Sequence, residues 1–429
     1  MKDNFGALEK IIDETIKRML KTKNLDLQIF FQQMENEFAR LGYREKSSAG
    51  VKNILISRFD NIGDFVLSTP AIRAVRENFP DAFITLVVSE TAYPLAEICP
   101  YVNEVFAFDI NFDANNFIEV FKRVTNFAKK HLWKRHYNLA FHIQYWFTPI
   151  APFFLYLSGA KERVAYSRDK LYSELINHDF SHLQEVYHDV INNLNLLKLS
   201  GLKTSSTDTE IWFDDSDLFK AETLLKGFAE DRFKISVAIG SSNAQIARRY
   251  PVEKYLEAFK ILVDKGAAIV IFGGPAELEG ANFLEKNLPE GSVKNFVKLH
   301  AGWRVDAAAM SLTDMYIGNF TGACDVAASL KLPIIALTPE SKDRDFLFEQ
   351  GFSQIAHYYP WKTFSIVLRP AHQLDDCAKE IYYGGCQKKT SHCIAQIEPS
   401  EIVDAFDKMT TDVNEIKFFD GDFKKIFGK

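Results

Sequence analysis

The alternation of apolar runs with helical stretches predicts an α/β protein built from two doubly wound parallel sheets in tandem. Three observations carry that expectation. From Val51 onward, NILISRF, STPAIRAVRENF, AFITLVVS and AYPLAEIC read as strand, helix, strand, helix, and parallel strands need crossovers of this kind. A second series opens at KISVAIGS, from Lys234 to Ser241. Between the two, the polar stretch Lys203–Thr209, KTSSTDT, reads as a linker.

Composition sets the outer bounds. A chain of 429 residues holds two or three domains on a prior of roughly 150 residues each. With 47% hydrophobic and 25% charged residues, it falls outside the disordered, coiled-coil and collagen-like classes. Lys+Arg 51 against Asp+Glu 57 gives a net charge of -6. A general nucleic-acid binder concentrates positive charge instead, so no nucleic-acid partner is expected. The longest apolar stretches, Ile150–Leu157 and Ala267–Phe272, fall well short of the ~18 to 20 residues that cross a bilayer. The opening MKDNFGALEK lacks the apolar core of a secretory signal, so a cytoplasmic location is expected. Five cysteines, an odd number, suggest no disulfide framework.

The elements follow in order. Residues 1–48 read as a helical extension, with Leu8, Ile11, Ile12, Ile16, Met19 and Leu20 near 3.6 spacing and a second set at Phe30, Met34, Phe38 and Leu41. A packing arm or an oligomer contact fits that pattern. A membrane-surface helix fits it less well, because Asp3, Glu9, Asp13, Glu14, Glu35 and Glu37 dilute any basic face. The first α/β domain, 49–205, continues through YNLAFHIQ and ERVAYS to a helix from Asp189 to Leu199. The second, 206–409, runs through a helix from Val252 to Lys265, AAIVIFGG, a helix from Glu277 to Asn287, DMYIGN, a helix after Gly322, and LPIIALT. Residues 410–429 form a tail. Sheets of this class bind ligands outside the carboxyl ends of their strands, so two facing domains would set a cleft between their loops.

The first chemical motif, Arg58-Phe59-Asp60-Asn61-Ile62-Gly63-Asp64, directly follows a strand and opens a helix. Gly63 permits close backbone approach, the helix start offers N–H groups to an anion, and two carboxylates flank the turn where a general base would be useful. Asp60 and Asp64 suit a turn or helix cap equally well. Neither first βα turn carries G-x-G-x-x-G, which sets aside a nicotinamide dehydrogenase.

The run ILISRFDNIGDFVLSTPAIRAVRENFPDAFITLVV resembles the opening of the bacterial heptosyltransferase family, glycosyltransferase family 9, with its R-x-D-x-x-G-D and T-P-A-hydrophobic-R-A motifs. Further matches keep the family's order: ARRYPVEKY, IVIFGGPAE, IGN-x-TG and LPIIALT. The likeness covers about Val51 to Met409 and omits the N-terminal arm. It implies a GT-B fold, in which the first Rossmann-like domain mainly takes the acceptor and the second takes a nucleotide-diphosphate sugar. It further implies inverting transfer with no metal or other cofactor, from an ADP-heptose-like donor to a lipopolysaccharide-core or related surface-glycan acceptor, at the inner face of the membrane. By motif position Asp64 would be the base, with Asp60 second because the family tolerates other residues there.

The leaving diphosphate needs donors and positive charge held ready. The resemblance assigns this work to Gly63, Ser241, Ser242, Arg248, Glu277, Asn319, Thr321 and Gly322. Arg248 falls where the family has a lysine, Glu277 where it takes a carboxylate to the ribose, and Thr321 with Gly322 where backbone N–H groups can cradle phosphate. Two positions depart from the family's G-N-D-S/T-G-x-x-H: Phe320 replaces an aspartate and Asp325 a histidine. A carboxylate ~4 Å from a phosphate oxygen costs about 4 kcal/mol at an effective dielectric of 20. Asp325 is therefore expected to turn away or to be neutralised, for instance by Arg248 or Arg249.

Two alternatives accompany this reading: a family member that glycosylates a protein such as an adhesin, and a non-catalytic relic that binds a nucleotide sugar or a partner. Cys377, Cys386 and Cys393 lack C-x2-4-C spacing and read as free thiols rather than a metal site, although one adhesin-modifying branch of the family carries a cysteine-bound iron. The adjacent pair His392-Cys393 is expected to point in different directions. Tyr145-Trp146-Phe147-Thr148-Pro149 and IAPFFLYL read as core, with a sugar platform as the alternative. His131, His136 and His142 match no metal motif.

Overall fold

The first series folds into six strands among the described residues. They are β1 (Asn53–Arg58), β2 (Phe83–Ser89), β3 (Glu104–Phe108), β4 (Leu139–His142), β5 (Glu162–Ala165) and β6 (His178–Asp179). The second series gives β7 (Phe233–Ala238), β8 (Ala267–Phe272), β9 (Val293–Asn295), β10 (Met315–Asn319), β11 (Ile334–Leu337) and β12 (Ser365–Leu368). This computed structural model describes residues 5–22, 27–43, 50–110, 116–145, 148, 150–166, 175–180, 188–241, 243–344, 353–374, 386 and 388–411. Ser242, Cys377, Trp146, Phe147, Pro149, Asp3 and the tail from 412 onward lie outside them, as do the side chains of Met19 and Leu20.

Both sheets are parallel throughout. Their orders, β3-β2-β1-β4-β5-β6 and β12-β11-β10-β7-β8-β9, are one doubly wound arrangement used twice. In each, the strand order reverses beside the first strand of the series, between β1 and β4 and between β10 and β7. Ligands of such sheets bind at these switch points. The strands lack polar alternation because helices cover both faces; all six residues of β8 are buried.

Contacts group the chain into two compact units. One comprises Met1–Asn61, Ser68–Gln184 and Val190–Thr207; the other comprises Ile62–Leu67, Glu185–Asp189 and Asp208–Lys429. In the first unit, the helices Gly6–Thr22 and Leu27–Arg40 set Leu8, Ile12, Phe30, Met34 and Phe38 into one cluster with Phe121, Trp133 and Phe154. The apolar stripe of the N-terminal arm is thus spent on the core of its own unit. The helix Ile150–Leu157 is buried along its whole length. The polar stretch after Leu202 is pinned rather than loose: Asn78 Nδ2 donates to the Lys203 carbonyl at 2.7 Å, and Lys203 N donates back to Asn78 Oδ1 at 3.0 Å.

The second unit packs β7, β8, β10 and β11 against the helices Val252–Asp264 and Pro399–Thr411 through Ile235, Ile269, Phe259, Leu262, Ile402 and Phe406. A further helix, Asp215–Leu225, is set by a reciprocal cap. Asp214 Oδ1 accepts from Asp217 N at 3.0 Å, and Asp217 Oδ2 accepts from Asp214 N at 3.1 Å. Among the described residues no helix is long and apolar enough to cross a membrane.

Candidate functional site

At the switch point of the second sheet, Asn319 ends β10 with its side chain 1% exposed. Its Nδ2 donates to the carbonyls of Ile239 at 2.7 Å and Gly240 at 3.1 Å. Its Oδ1 accepts from Tyr250 N at 3.2 Å and from the Tyr255 hydroxyl at 3.0 Å. Two donations and two acceptances are all a carboxamide can make. Asn319 therefore shapes the loop after β7 and has no bond left for a ligand.

That loop carries Gly240 and Ser241 into a second network. Glu277 follows β8 on a short 3-10 turn, Pro275–Glu277. Its Oε2 accepts from Gly274 N at 2.9 Å, and its Oε1 lies 3.4 Å from Arg249 Nη2. The same Arg249 nitrogen donates to the Ser241 carbonyl at 2.7 Å. A Cβ on Gly240 would run into the Glu277 side chain, so this approach requires glycine. Neighbouring Arg248 makes no ion pair among the described residues. Burial pulls its pKa down while Tyr358 and Glu340 pull it up. The two arginines thus separate in role: Arg249 braces the loop, and Arg248 has no carboxylate at ion-pair distance among the described residues, Glu340 acting on it from farther away.

The third segment follows β10. Thr321 stands at the N-cap of the helix Gly322–Ser329 in extended backbone, and its side chain makes no cap bond. The first N–H groups of that helix have no intrahelical acceptor. Gly63 meets this helix start within the second unit: a Cβ on Gly322 would sit 2.8 Å from Gly63 N, and one on Gly63 would collide with Asp325 Oδ2. Asp64, in the first turn of the helix Ile62–Asn78, is half-buried. Asp60 is instead held by the buried Arg58, whose Nη2 lies 3.0 Å from Asp60 Oδ2 while its Nη1 donates to the Ile143 carbonyl at 2.7 Å and to Asn193 Oδ1 at 3.0 Å.

Asp325 is 8% exposed. Burial, with Asp64 and Asp189 near enough to repel it, pushes its carboxyl well above the usual carboxylate range. That surrounding favours the neutral acid over the carboxylate. Among the described residues neither Arg248 nor Arg249 forms an ion pair with it, and Arg249 is turned to Ser241 and Glu277. Beside Asp189, His188 contributes Nε2, 2.9 Å from the Tyr359 carbonyl, and packs its ring on Trp361 at 4.4 Å, tilted by 32°. Burial holds its pKa down to about 3.

The cysteine region carries a second correction. His392 and Cys393 do not point apart: His392 Nδ1 lies 3.5 Å from the thiols of both Cys386 and Cys393. Among the described residues no group of three His, Cys, Asp or Glu is arranged to hold a metal. Tyr145 is 5% exposed and packs on Tyr166, so the described part of the aromatic stretch is core. Arg58, Arg249 and Asp189 carry this architecture, although none is a predicted site residue: the sequence offers Arg249 only as a possible partner of Asp325 and Asp189 only as a helix start. Only Arg58 had a signal there, as the first residue of R-x-D.

The description "Glycosyltransferase family 9 (heptosyltransferase)" matches residues 128–345, just over half of the chain; the Asp64 motif precedes the matched span. Lipopolysaccharide heptosyltransferase 3 of Escherichia coli K12 is 23% identical over 282 residues, which are 64% of this chain and 79% of that protein. Among solved structures, a glycosyl transferase family 9 protein from Veillonella parvula aligns with TM-score 0.65 at 20% identity, covering 83% of this chain and 97% of that one. E. coli ADP-heptose lps heptosyltransferase II aligns with TM-score 0.62 at 18% identity, covering 83% and 98%. The two structures share the fold of paired parallel sheets, and the matched span, taken with the order of motifs along it, shows that this chain belongs to glycosyltransferase family 9, the heptosyltransferase family, and is a glycosyltransferase.

Proposed function

We propose that this enzyme moves a heptose-like sugar from an ADP-activated donor to a lipopolysaccharide-core or related surface-glycan acceptor, with inversion and without a metal. The observation that carries the donor half is Arg248, a cation with no carboxylate at ion-pair distance among the described residues, in the same unit as Ser241, Glu277 and the helix start at Gly322. A diphosphate is the ligand this set suits: Arg248 supplies charge, the Thr321–Gly322 backbone supplies N–H groups, and Glu277 offers a carboxylate to ribose hydroxyls. ADP is chosen over other nucleotides because E. coli ADP-heptose lps heptosyltransferase II is among the similar structures.

In this reading Asp64 takes the proton of the acceptor hydroxyl as its oxygen attacks the anomeric carbon. The bond from that carbon to the diphosphate oxygen breaks, and the electron pair leaves with the diphosphate, whose growing charge falls on Arg248 and the helix N–H groups. The burial of Asp325, which favours its neutral form, accounts for an acid at the helix start. Asn319, with its bonds filled, acts by positioning the loop. Cytoplasmic action close to the membrane, and assembly of several copies, belong to the same proposal.

A thermal-shift panel of ADP, GDP, UDP and CMP tests the donor half, because a ligand that binds only the folded state raises the melting temperature by mass action. ADP is expected to give a rise of several degrees that is lost in Arg248→Ala. Equal shifts with all four nucleotides, or none, overturn the ADP assignment. Transfer that persists in excess EDTA supports metal independence.

A further inference from the structure

In the first unit, the switch point between β1 and β4 is occupied by a buried polar chain that the donor chemistry does not use. The Ser57 hydroxyl lies 2.9 Å from His142 Nδ1, and His142 Nε2 lies 2.9 Å from Gln144 Oε1. Ser57 is 0%, His142 1% and Gln144 6% exposed. Phe59 packs beside the imidazole at 5.2 Å, and buried Arg58 is the nearest cation acting on it. Ile143 N donates to the Ser57 carbonyl at 3.0 Å, which fixes the backbone of the chain as well.

The polarity of this chain follows from its chemistry. A carboxamide oxygen only accepts, so His142 carries its proton on Nε2 and gives it to Gln144. Nδ1 then accepts from the Ser57 hydroxyl, for which it is the nearer acceptor at 2.9 Å, the Phe141 carbonyl lying 3.3 Å from the same oxygen. The imidazole is neutral, since burial and Arg58 hold its pKa down to about 3, and this direction of bonding does not reverse within the physiological range. With the Gln144 oxygen engaged, its NH2 group is the end left over. Among the described residues no protein acceptor meets that nitrogen. A nearly buried carboxamide whose donor end is unmet stands where doubly wound sheets bind their ligands.

We infer that Ser57, His142 and Gln144 form a relay of fixed polarity that presents the Gln144 carboxamide nitrogen as a hydrogen-bond donor to an oxygen of the glycan acceptor. Gln144 is then a specificity-determining residue for the acceptor, with Ser57 and His142 positioning it. The ligand class is an oxygen acceptor, a sugar hydroxyl or a sugar-borne phosphate, because a bare N–H2 donor discriminates against partners that offer only donors. The inference rests on the transferase reading for the identity of the acceptor, and on geometry alone for the relay.

The test uses the full chain and lipopolysaccharide core oligosaccharide as the probe, with binding measured by calorimetry. Gln144→Glu, which keeps shape but replaces the donor with a carboxylate, is expected to weaken oligosaccharide binding at least tenfold while changing ADP binding less than twofold. Gln144→Leu should weaken it by a similar factor, and Gln144→Asn less. In parallel, nitrogen NMR of the imidazole is expected to show His142 as the neutral Nε2–H tautomer from pH 5 to 8. Oligosaccharide bound equally well by wild type and Gln144→Glu, an Nδ1–H tautomer, or no binding by wild type overturns the inference. Oligosaccharide bound in a Gln144-dependent way without any sugar transfer overturns the transferase reading and leaves the relay standing.

Discussion

The Tyr255 hydroxyl donates to Asn319 Oδ1 at 3.0 Å, so the helix Val252–Asp264 grips the end of β10 through one buried bond. Tyr255 is 0% exposed, and burial raises its pKa well above the ordinary tyrosine value, which keeps it a donor at any working pH. Asn319 passes the constraint on to the carbonyls of Ile239 and Gly240. The loop of the candidate donor site is thus held by the same residue that closes the core beneath it.

Asn319→Leu should consequently act on stability first. It keeps the approximate volume but leaves a buried hydroxyl, a backbone N–H and two carbonyls without their partner, at roughly 1–3 kcal/mol for each group left unsatisfied and less than their sum together. A loss of about 3 to 5 kcal/mol in urea unfolding at pH 7 is expected. A loss under about 1 kcal/mol would mean that water or neighbouring groups take over these bonds and that the switch point is not pinned in this way.

Asp64→Asn separates binding from chemistry. A positioned general base contributes roughly 10²–10⁴-fold to rate, so transfer should fall by that factor while the affinity for ADP changes less than twofold. Turnover within tenfold of wild type would remove Asp64 from the role of base. Asp60→Asn is the informative companion: its carboxylate is already paired with Arg58, so its effect should appear as lost stability of the buried arginine rather than as a selective loss of rate.

Much of the fold is legible because it depends on local pattern. Runs such as AAIVIFGG announce buried parallel strands by composition and by the glycines that stop them, and β8 falls inside that run. The helix Asp215–Leu225 goes unseen in the apolar pattern, yet Asp214 with Asp217 is a capping signal that could have found it. The site is only half legible. Motif order picks out Glu277 and Gly322, but which of two adjacent arginines meets Glu277 depends on how the chain turns at Tyr250. Likewise, the upward shift of the Asp325 carboxyl depends on burial and on Asp64 and Asp189, residues more than a hundred positions away.

Asp306 supplies a pH-dependent prediction. It lies in the first turn of the helix Trp303–Met310, its Oδ1 has no hydrogen-bond partner among the described residues, and burial pushes its pKa up to about 7. Because the folded value exceeds the unfolded one near 3.9, the folded state binds the proton more tightly. The contribution is therefore intact below about pH 4 and is lost progressively as pH rises through about 7. Asp306→Asn, neutral at every pH, should be more stable than wild type at pH 8 by on the order of 4 kcal/mol, and the gap should close by pH 4. A difference independent of pH would show that the carboxyl is solvated.

Asp325→Asn tests the reading of the helix start most directly. If the carboxyl is held as the neutral acid by burial and by Asp64 and Asp189, replacing it with a neutral isostere leaves the field at the helix Gly322–Ser329 unchanged. The affinity for ADP at pH 7 should then move less than twofold. Were the group ionised, the substitution would remove a repulsion of about 4 kcal/mol at ~4 Å and an effective dielectric of 20, and ADP would bind far more tightly. The two outcomes differ by orders of magnitude in one calorimetric titration. Gly63→Ala provides the steric counterpart: its added methyl would meet Asp325 and lie 2.8 Å from Gly322 Cα, so it should destabilise by roughly 1–3 kcal/mol. Asp325→Ala in the same chain should relieve the part of that strain owed to the carboxyl and leave the part owed to the Gly322 backbone.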